Sequence, residues 1–360
     1  MFLQRFGVQN FRGINPIGFD LSHKVNIFSG PNGAGKSSIL EAIYFLSCCK
    51  SFRTTNADAL IAYENEWFSL NGIASKEGSG LEHKISVRRV KKQNRAEIDE
   101  TAIRKASKLS QLLPSLVVCS ERQRLFISPP QVRRNFLDWG LFHVKPESIN
   151  LFTKYERALK QRNAAIKSKA EEKVIKSWDF DLIDSGSEII KLRSWFVSEL
   201  VNRLNQTCRP GFKSGEFYID YETGCGKYDS FSSALEDGFD QDCRYGFTRH
   251  GPHRSDFTAS YNGHNVKDDF SRGQIKLLVF YLTLSQAYLI GRSKGVNPWL
   301  LFDDFASDFS KDLLEVAFDA MLNSGCQVFM TSADDVSNLA KKDSKNYLFH
   351  VEHGNVKKMI

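Results

Sequence analysis

Residues Gly30, Pro31, Asn32, Gly33, Ala34, Gly35, Lys36 and Ser37 fit the G-x-x-x-x-G-K-[ST] spacing of a phosphate-binding loop at every position. A backbone that turns its N–H groups inward around phosphate passes through conformations that a β-carbon obstructs, which is why glycine recurs there. Lys36 is placed to reach the β- and γ-phosphates of a nucleotide, and the Ser37 hydroxyl to ligate Mg²⁺. The apolar run 25–28 ahead of the loop reads as a buried strand. Residues 38–46 after it read as a helix whose N-terminal dipole favours an anion. The expected ligands are ATP and Mg²⁺, in a site running from Gly30 through Ser38.

A second acidic element narrows the chemistry. The apolar run 299–302 ends in Asp303 and Asp304, where a Walker B strand presents its carboxylates. Asp303 is the expected metal-side acid, and Asp304 the candidate catalytic group that orients or deprotonates an attacking water, with Lys36 stabilising the transferred phosphate. Ser271, Gly273 and Gln274 stand 32 to 29 residues ahead of Asp303 and open the apolar stretch 277–290. Alone, such a serine is a plain helix N-cap. Upstream of an acidic strand it resembles the signature motif of ABC-type ATPases, whose serine hydroxyl and glycine N–H touch the γ-phosphate of a nucleotide held by the other subunit. Residues 305–310, including Ser307 and Asp308, follow where a D-loop would cross the dimer. Thr331 and Ser332 occupy the position at which such enzymes usually carry a phosphate-sensing histidine. That departure, and the short Asp304 where many relatives have glutamate, predict slow turnover.

These groups need elements to hold them. The runs 25–28, 116–119, 299–302 and 328–331 read as strands, and 38–46, 274–290 and 311–322 as helices, an alternation that implies a largely parallel sheet covered on both faces. Between residues 151 and 180 eight Lys/Arg face four Asp/Glu, so over half of the chain's net charge of +7 falls in that twelfth of its length. The spacing of Leu151, Tyr155, Ala158 and Leu159, and of Ile189, Arg193, Phe196, Leu200 and Leu204, predicts amphipathic helices. Residues 147–207 are therefore expected to form an inserted helical arm of two antiparallel helices, with 1–146 and 208–360 as the two lobes of an α/β head. A second basic run, 84–95, including Lys91, reads as an edge strand entering a loop. Both runs are candidate nucleic-acid surfaces, although a solvated face is the commoner role for such charge.

Composition excludes other classes. At 12% aromatic, with 28 Phe among 360 residues, the chain has too much apolar surface for intrinsic disorder, and its length favours two or three domains. Seven cysteines, at 48, 49, 119, 208, 225, 243 and 326, are odd in number and scattered, as expected for free thiols in a reducing compartment. The N-terminus lacks a signal-peptide core and the longest apolar stretch is about 14 residues. The expectation is a cytoplasmic protein without a membrane span.

Asp303 lies 267 residues after Lys36, far more than in transporter ATPase subunits, and the arm lacks the sustained heptads of chromosome-scaffold coiled coils. The chain closely resembles the RecF recombination mediator family over nearly its whole length. The segments that carry the resemblance are Asn10-Phe11-Arg12, the 30–46 loop and helix, Ser51-Phe52-Arg53, 132–140 (VRRNFLDWG), 160–163 (KQRN), 250–256 (HGPHRSD), 271–278 (SRGQIKLL) and 300–307 (LLFDDFAS). Ser255 and the D-loop 308–310 depart slightly from the usual pattern. The resemblance implies an ABC-type ATPase head that forms an ATP-dependent homodimer and binds single-stranded or gapped DNA or its junctions. It also implies action with RecR/RecO-type mediators to load a RecA-type recombinase, in recombination, replication-fork recovery and the SOS response. It makes Arg12 and Arg53 candidate phosphate contacts, since an arginine fork matches phosphate oxygens. His250 and His253 near Cys243 lack the further ligands zinc requires, which favours a structural or phosphate-proximal role. Arg133, Arg134, Phe136 and Trp139 are expected to pack the arm onto the head. The alternative function is an ATP-dependent nuclease on the same head, for which Asp179, Asp181 and Asp184 are the one tight acidic cluster of the arm.

Overall fold

A computed structural model describes residues 1–76, 80–90, 92–119, 124–207, 210–212, 214–307 and 309–360. Cys208, Lys91 and Asp308, named above, lie outside the described residues. The chain divides into two units: residues 1–123 with 272–360, and residues 124–271.

In the first unit the apolar runs form strands buried on both faces: β3 (Val25–Ser29), β8 (Ser115–Val118), β12 (Trp299–Phe302) and β13 (Val328–Ser332). They pair in parallel in the order β14-β3-β13-β12-β8, with β14 (Tyr347–Glu352) on one flank and β15 (Asn355–Lys358) returning antiparallel beside it. Near-continuous apolar sequence is what a doubly covered parallel sheet demands. A second six-stranded sheet among the described residues is antiparallel, and periodicity alone does not anticipate it. Its order is β2 (Ile17–Asp20), β1 (Phe2–Gln9), β4 (Trp67–Ser75), β5 (Glu82–Val90), β6 (Gln93–Ile98), β7 (Thr101–Ile103). The first basic segment of 84–95 is therefore not an edge: β5 is paired on both sides, by β4 and β6. Its alternation reflects one packed and one wet face, with Ile85, Val87 and Arg89 buried and Arg88 exposed.

Helix α1 (Lys36–Cys48) packs against β13 on one side and β4 and β5 on the other, so nearly all of it is buried. Phe45 of α1 meets Phe11 and Phe68 edge to face, with centroids 6.4 and 5.2 Å away. Such aromatic contacts add to the burial of large rings. The remaining helices of this unit are α2 (Ala106–Leu112), α10 (Arg272–Lys294), α11 (Lys311–Leu322) and α12 (Ser337–Ala340). Among the described residues no helix is long and apolar enough to cross a membrane.

The second unit contains α3 (Pro130–Val144), α4 (Ser148–Lys167), α5 (Glu172–Lys176), α6 (Asp179–Gln206), α7 (Phe231–Asp237), α8 (Phe239–Tyr245) and α9 (Val266–Asp269). Its sheet is β9 (Phe217–Glu222), β10 (Asp256–Tyr261) and β11 (His264–Asn265), in the order β11-β10-β9. The two expected arm helices exist as α4 and α6, and they run antiparallel: Lys154 pairs with Asp184 while Arg162, further along α4, pairs with the earlier Asp179. The bounds 147–207 differ from the observed unit because those helices do not close a core alone. Tyr155, Ala158, Leu182 and Ile189 bury themselves against Cys225, Phe231, Ala234 and Leu235, residues that the sequence pattern assigns to the head.

Buried arginines fasten this unit. The Arg162 guanidinium, fully buried, donates to Asp179, Asp242 and Thr248, each at 2.7 Å. Arg193 grips Asp138 through two 2.8 Å bonds and donates to the Pro252 carbonyl and Ser255. Arg133 takes Asp256 at 2.6 and 2.9 Å, and Arg134 donates to the Ser255 carbonyl. Arg133 and Arg134 thus tie α3 to β10 inside the second unit, which corrects their expected arm-to-head role. Trp139 stacks on Phe142, also within α3.

His253 accepts from the Tyr155 hydroxyl at Nδ1 (2.6 Å) and donates from Nε2 to the Thr248 carbonyl (3.0 Å) in the tautomer that satisfies both. Burial, with help from Arg254, Arg134 and His250, pushes its pKa down to about 4, against the Thr248 carbonyl. The unfolded chain takes up this proton near pH 6.5 and the folded one does not, so the contribution is intact above pH 6.5 and lost as pH falls towards 4. Thermal unfolding at stepped pH tests this: between pH 7 and 4.5 the wild-type midpoint should fall more steeply than that of His253→Gln, and parallel curves would contradict it.

Candidate nucleotide-binding site

The loop between β3 and α1 has the backbone its glycines predict: Gly30, Gly33 and Gly35 have φ of 153°, 80° and 108°. A β-carbon at Gly30 would collide with the Val351 carbonyl of β14, so glycine is required for packing as well as for the turn. The turn between β14 and β15 braces the loop from the same side. Gly354 N–H donates to the Ala34 carbonyl (3.0 Å), and Asn15 N–H and side chain donate to the Gly354 and His353 carbonyls. Nothing in the local sequence of 353–354 signals this role.

Lys36, the first residue of α1, donates its ammonium to the Gly30 and Pro31 carbonyls at 2.7 and 2.9 Å. Burial lowers its pKa, opposed by the nearby carboxylates of Asp304 and then Asp303. The ammonium thus rests on the loop's own carbonyls and feels the charge of the acidic pair, as a phosphate ligand requires.

Asp303 and Asp304 end β12 as expected. Asp303 Oδ1 accepts from the Ser37 hydroxyl and from the Thr331 hydroxyl, both at 2.8 Å. Thr331 in turn accepts from the Asp304 N–H at 2.7 Å. Asp304 is held at φ 54°, a left-handed conformation uncommon outside glycine. Besides Thr331, the Ser307 hydroxyl and the Lys276 ammonium secure it, donating to its carbonyl at 2.9 and 3.2 Å. Strain of this kind persists where surrounding contacts over-determine it. Lys276 is 4% exposed and also reaches the Ser307 hydroxyl at 3.1 Å, so α10 is fastened directly to the loop after the acidic strand. No local sequence signal assigns this role to Lys276 or Thr331. Thr331 is a partner of both acids, and at 1% exposure its hydroxyl is committed to them.

Arg12 and Arg53 converge on Glu41, a fully buried α1 carboxylate that carries no motif of its own. Arg12 binds it through two bonds of 2.5 and 3.1 Å, Arg53 stands 3.8 Å away, and Ser51 donates to it. Arg12 has φ 50° and its N–H donates to the Leu60 carbonyl at 2.7 Å. Both guanidiniums are thus anchored beside α1 on one acid, whose apolar flanks Ala42 and Leu40 give it the look of an ordinary helix glutamate. At the other motif, Ser271 and Gln274 are exposed or half-buried along with Gly273, at and just inside the start of α10.

Ser37 and Asp303 present hard oxygen donors within hydrogen-bond distance of each other, a pair suited to Mg²⁺, which would supply charge neutralisation at the phosphates. Loop, acidic strand end and signature helix together define a nucleotide-binding head of the ABC type. A family model described as the RecF/RecN/SMC N terminal domain matches residues 2–357. The chain is 36% identical to the DNA replication and repair protein RecF of Pseudoalteromonas translucida (strain TAC 125) over 99% of both, and 31% identical to that of Mannheimia succiniciproducens over 100% of both. It belongs to the RecF family. Its fold matches a structure described as the recombination mediator protein RecF-ATP in the RecFOR pathway, with a TM-score of 0.86 and 23% identity, over 100% of this chain and 98% of that one. An Smc head domain from Pyrococcus furiosus matches with a TM-score of 0.58 and 13% identity, over 99% and 96% of the chains.

Thr331→Val keeps the shape and removes the shared hydroxyl. With the half-buried Asp303 oxygen losing one of its two donors and the Asp304 N–H its acceptor, a loss of about 0.5–1.5 kcal/mol is expected. Calorimetry with ATP should also show weaker binding, and Thr331→Ser should restore both properties. A valine variant as stable and as tight as wild type would remove the assigned role.

Proposed function

We propose that this protein is an ATP-gated DNA clamp of recombinational repair. Lys36, Ser37 and Asp303 hold ATP·Mg²⁺ on one subunit, with Gly30–Ser38 as its cradle and Arg12 and Arg53 beside it. Ser271, Gly273 and Gln274 of a second copy close over the γ-phosphate. Dimerisation draws basic surface around DNA, and Asp304 assists the slow hydrolysis that reopens it. The single observation that carries this reading is the joined set Ser37–Asp303–Thr331–Asp304, built within one chain while the signature residues at the start of α10 stay accessible at the surface. Family membership supports the DNA role, and the RecFOR pathway of the similar RecF-ATP structure supports mediator partners of the RecR/RecO type and a RecA-type recombinase downstream.

The basic run 151–180 is smaller in effect than its composition suggests. Arg162 is buried in ion pairs, Lys154 is paired with Asp181 and Asp184, and Lys176 with Glu172, which leaves Arg157, Lys160, Lys167, Lys169 and Lys173 exposed. The same pairs engage Asp179, Asp181 and Asp184, the cluster on which a nuclease reading would depend.

Sedimentation and DNA-binding anisotropy test the clamp together. ATP should convert wild type to a dimer and raise its affinity for gapped DNA, Lys36→Arg should do neither, and log affinity should fall linearly with log salt because phosphate contacts dominate. Wild type that stays monomeric with ATP and gains no DNA affinity would overturn the gating. Cleavage of the labelled DNA with Mg²⁺ or Mn²⁺ would favour the nuclease.

A further inference from the structure

The end of α8 and the turn after it carry three arginines and no acidic residue between positions 243 and 255. They also carry two exposed rings, Tyr245 at 60% and Phe247 at 37% exposure. The rings are 6.5 Å apart, centre to centre, and each has a guanidinium against it: Arg249 lies 4.8 Å from the Tyr245 ring and Arg254 5.2 Å from the Phe247 ring. Arg244 is exposed beside them.

The turn is built rigidly. Gly246 takes the left-handed conformation at φ 83° that ends α8. The Arg249 N–H is held by the buried Asp242 carboxylate at 2.9 Å, and the Arg249 guanidinium donates to Gln241. Thr248, next to Phe247, is buried, its N–H and hydroxyl both donating to Asn163 at 2.7 and 2.8 Å. His253 holds the Thr248 carbonyl, and the Arg254 N–H donates to Gly251 at 2.8 Å. Two aromatic side chains are thus kept in solvent by a hydrogen-bonded scaffold, with cations beside each.

We infer that Tyr245 and Phe247, flanked by Arg244, Arg249 and Arg254, form a stacking platform for single-stranded nucleic acid on the second unit. The inference rests on the DNA-binding reading above and assigns a site within it. A duplex offers this surface phosphates only, because its base faces are covered. An unpaired strand offers base faces to the rings and guanidinium planes, and phosphates to the arginine charges, so charge and ring chemistry are both complemented. A protein partner would have to supply acidic and apolar groups together, and that becomes an outcome of the test.

Tyr245→Ala and Phe247→Ala are surface changes, checked for folding by thermal unfolding and for ATP-driven dimerisation. Anisotropy with labelled oligo-dT and with a duplex of equal length then separates the modes. Each alanine should weaken oligo-dT binding about tenfold, ~1.4 kcal/mol, leaving duplex affinity unchanged, and Tyr245→Phe should restore the binding. Arg254→Ala should reduce the salt slope for oligo-dT by about 0.7 for each phosphate that its guanidinium neutralises, which Tyr245→Ala should not. If wild type binds oligo-dT and the double alanine variant binds it equally well, the platform is overturned, and the surface is open to a protein partner instead. If wild type binds neither DNA, the DNA-binding reading itself fails.

Discussion

One carboxylate oxygen, Asp303 Oδ1, accepts from hydroxyls on two other segments of the chain. Ser37 comes from the first turn of α1 and Thr331 from β13, so the phosphate loop, the acidic strand end and the neighbouring strand are fixed to one another at a single atom. Two donors on one half-buried oxygen hold three segments in register, and losing either loosens the junction of all three. Asp304 inherits its position from the same knot. Its N–H is taken by the Thr331 hydroxyl and its carbonyl by Ser307 and Lys276, and these contacts keep a non-glycine residue left-handed. The placement of two acids therefore depends on one buried threonine hydroxyl.

How much of this can be read from the chain depends on how local each feature is. The phosphate loop compresses its requirements into eight neighbours, and its strand and helix are continuous apolar runs, so β3, α1, β8, β12 and β13 appear where periodicity puts them. Glu41 is invisible in the sequence because its meaning comes from separate segments meeting on it: Arg12 from one, Ser51 and Arg53 from another. The antiparallel sheet escapes for a related reason. Its strands bury one face and carry charges on the other, so a segment such as β5 reads equally well as an edge, and register with β4 and β6 lies outside any local window.

The second unit shows the same limit at the scale of a domain. Periodicity finds α4 and α6, but an amphipathic face says only that something must cover it. The cover is α7 with the chain around Cys225, beyond the end of α6, and the boundary moves from 147–207 to 124–271 once those residues are counted with the helices they protect. Arg133 and Arg134, expected to pack the arm onto the head, instead tie α3 to β10, while Arg193 of α6 grips Asp138 of α3. Charged residues in the family motifs, Arg12, Arg133 and Arg134 among them, are engaged with acids and carbonyls of the fold itself.

The turn at His353 and Gly354, which braces the phosphate loop, is distant from it along the chain. The loop leaves the ribosome near residue 36, but Val351 and Gly354, against which Gly30 and Ala34 pack, emerge more than 300 residues later. At about 5–20 residues per second that is on the order of half a minute of synthesis. During that interval β3 lacks both of its parallel neighbours in the sheet, β13 and β14. The phosphate loop is thus braced by strands made long after it, and its native packing waits on their folding back onto β3.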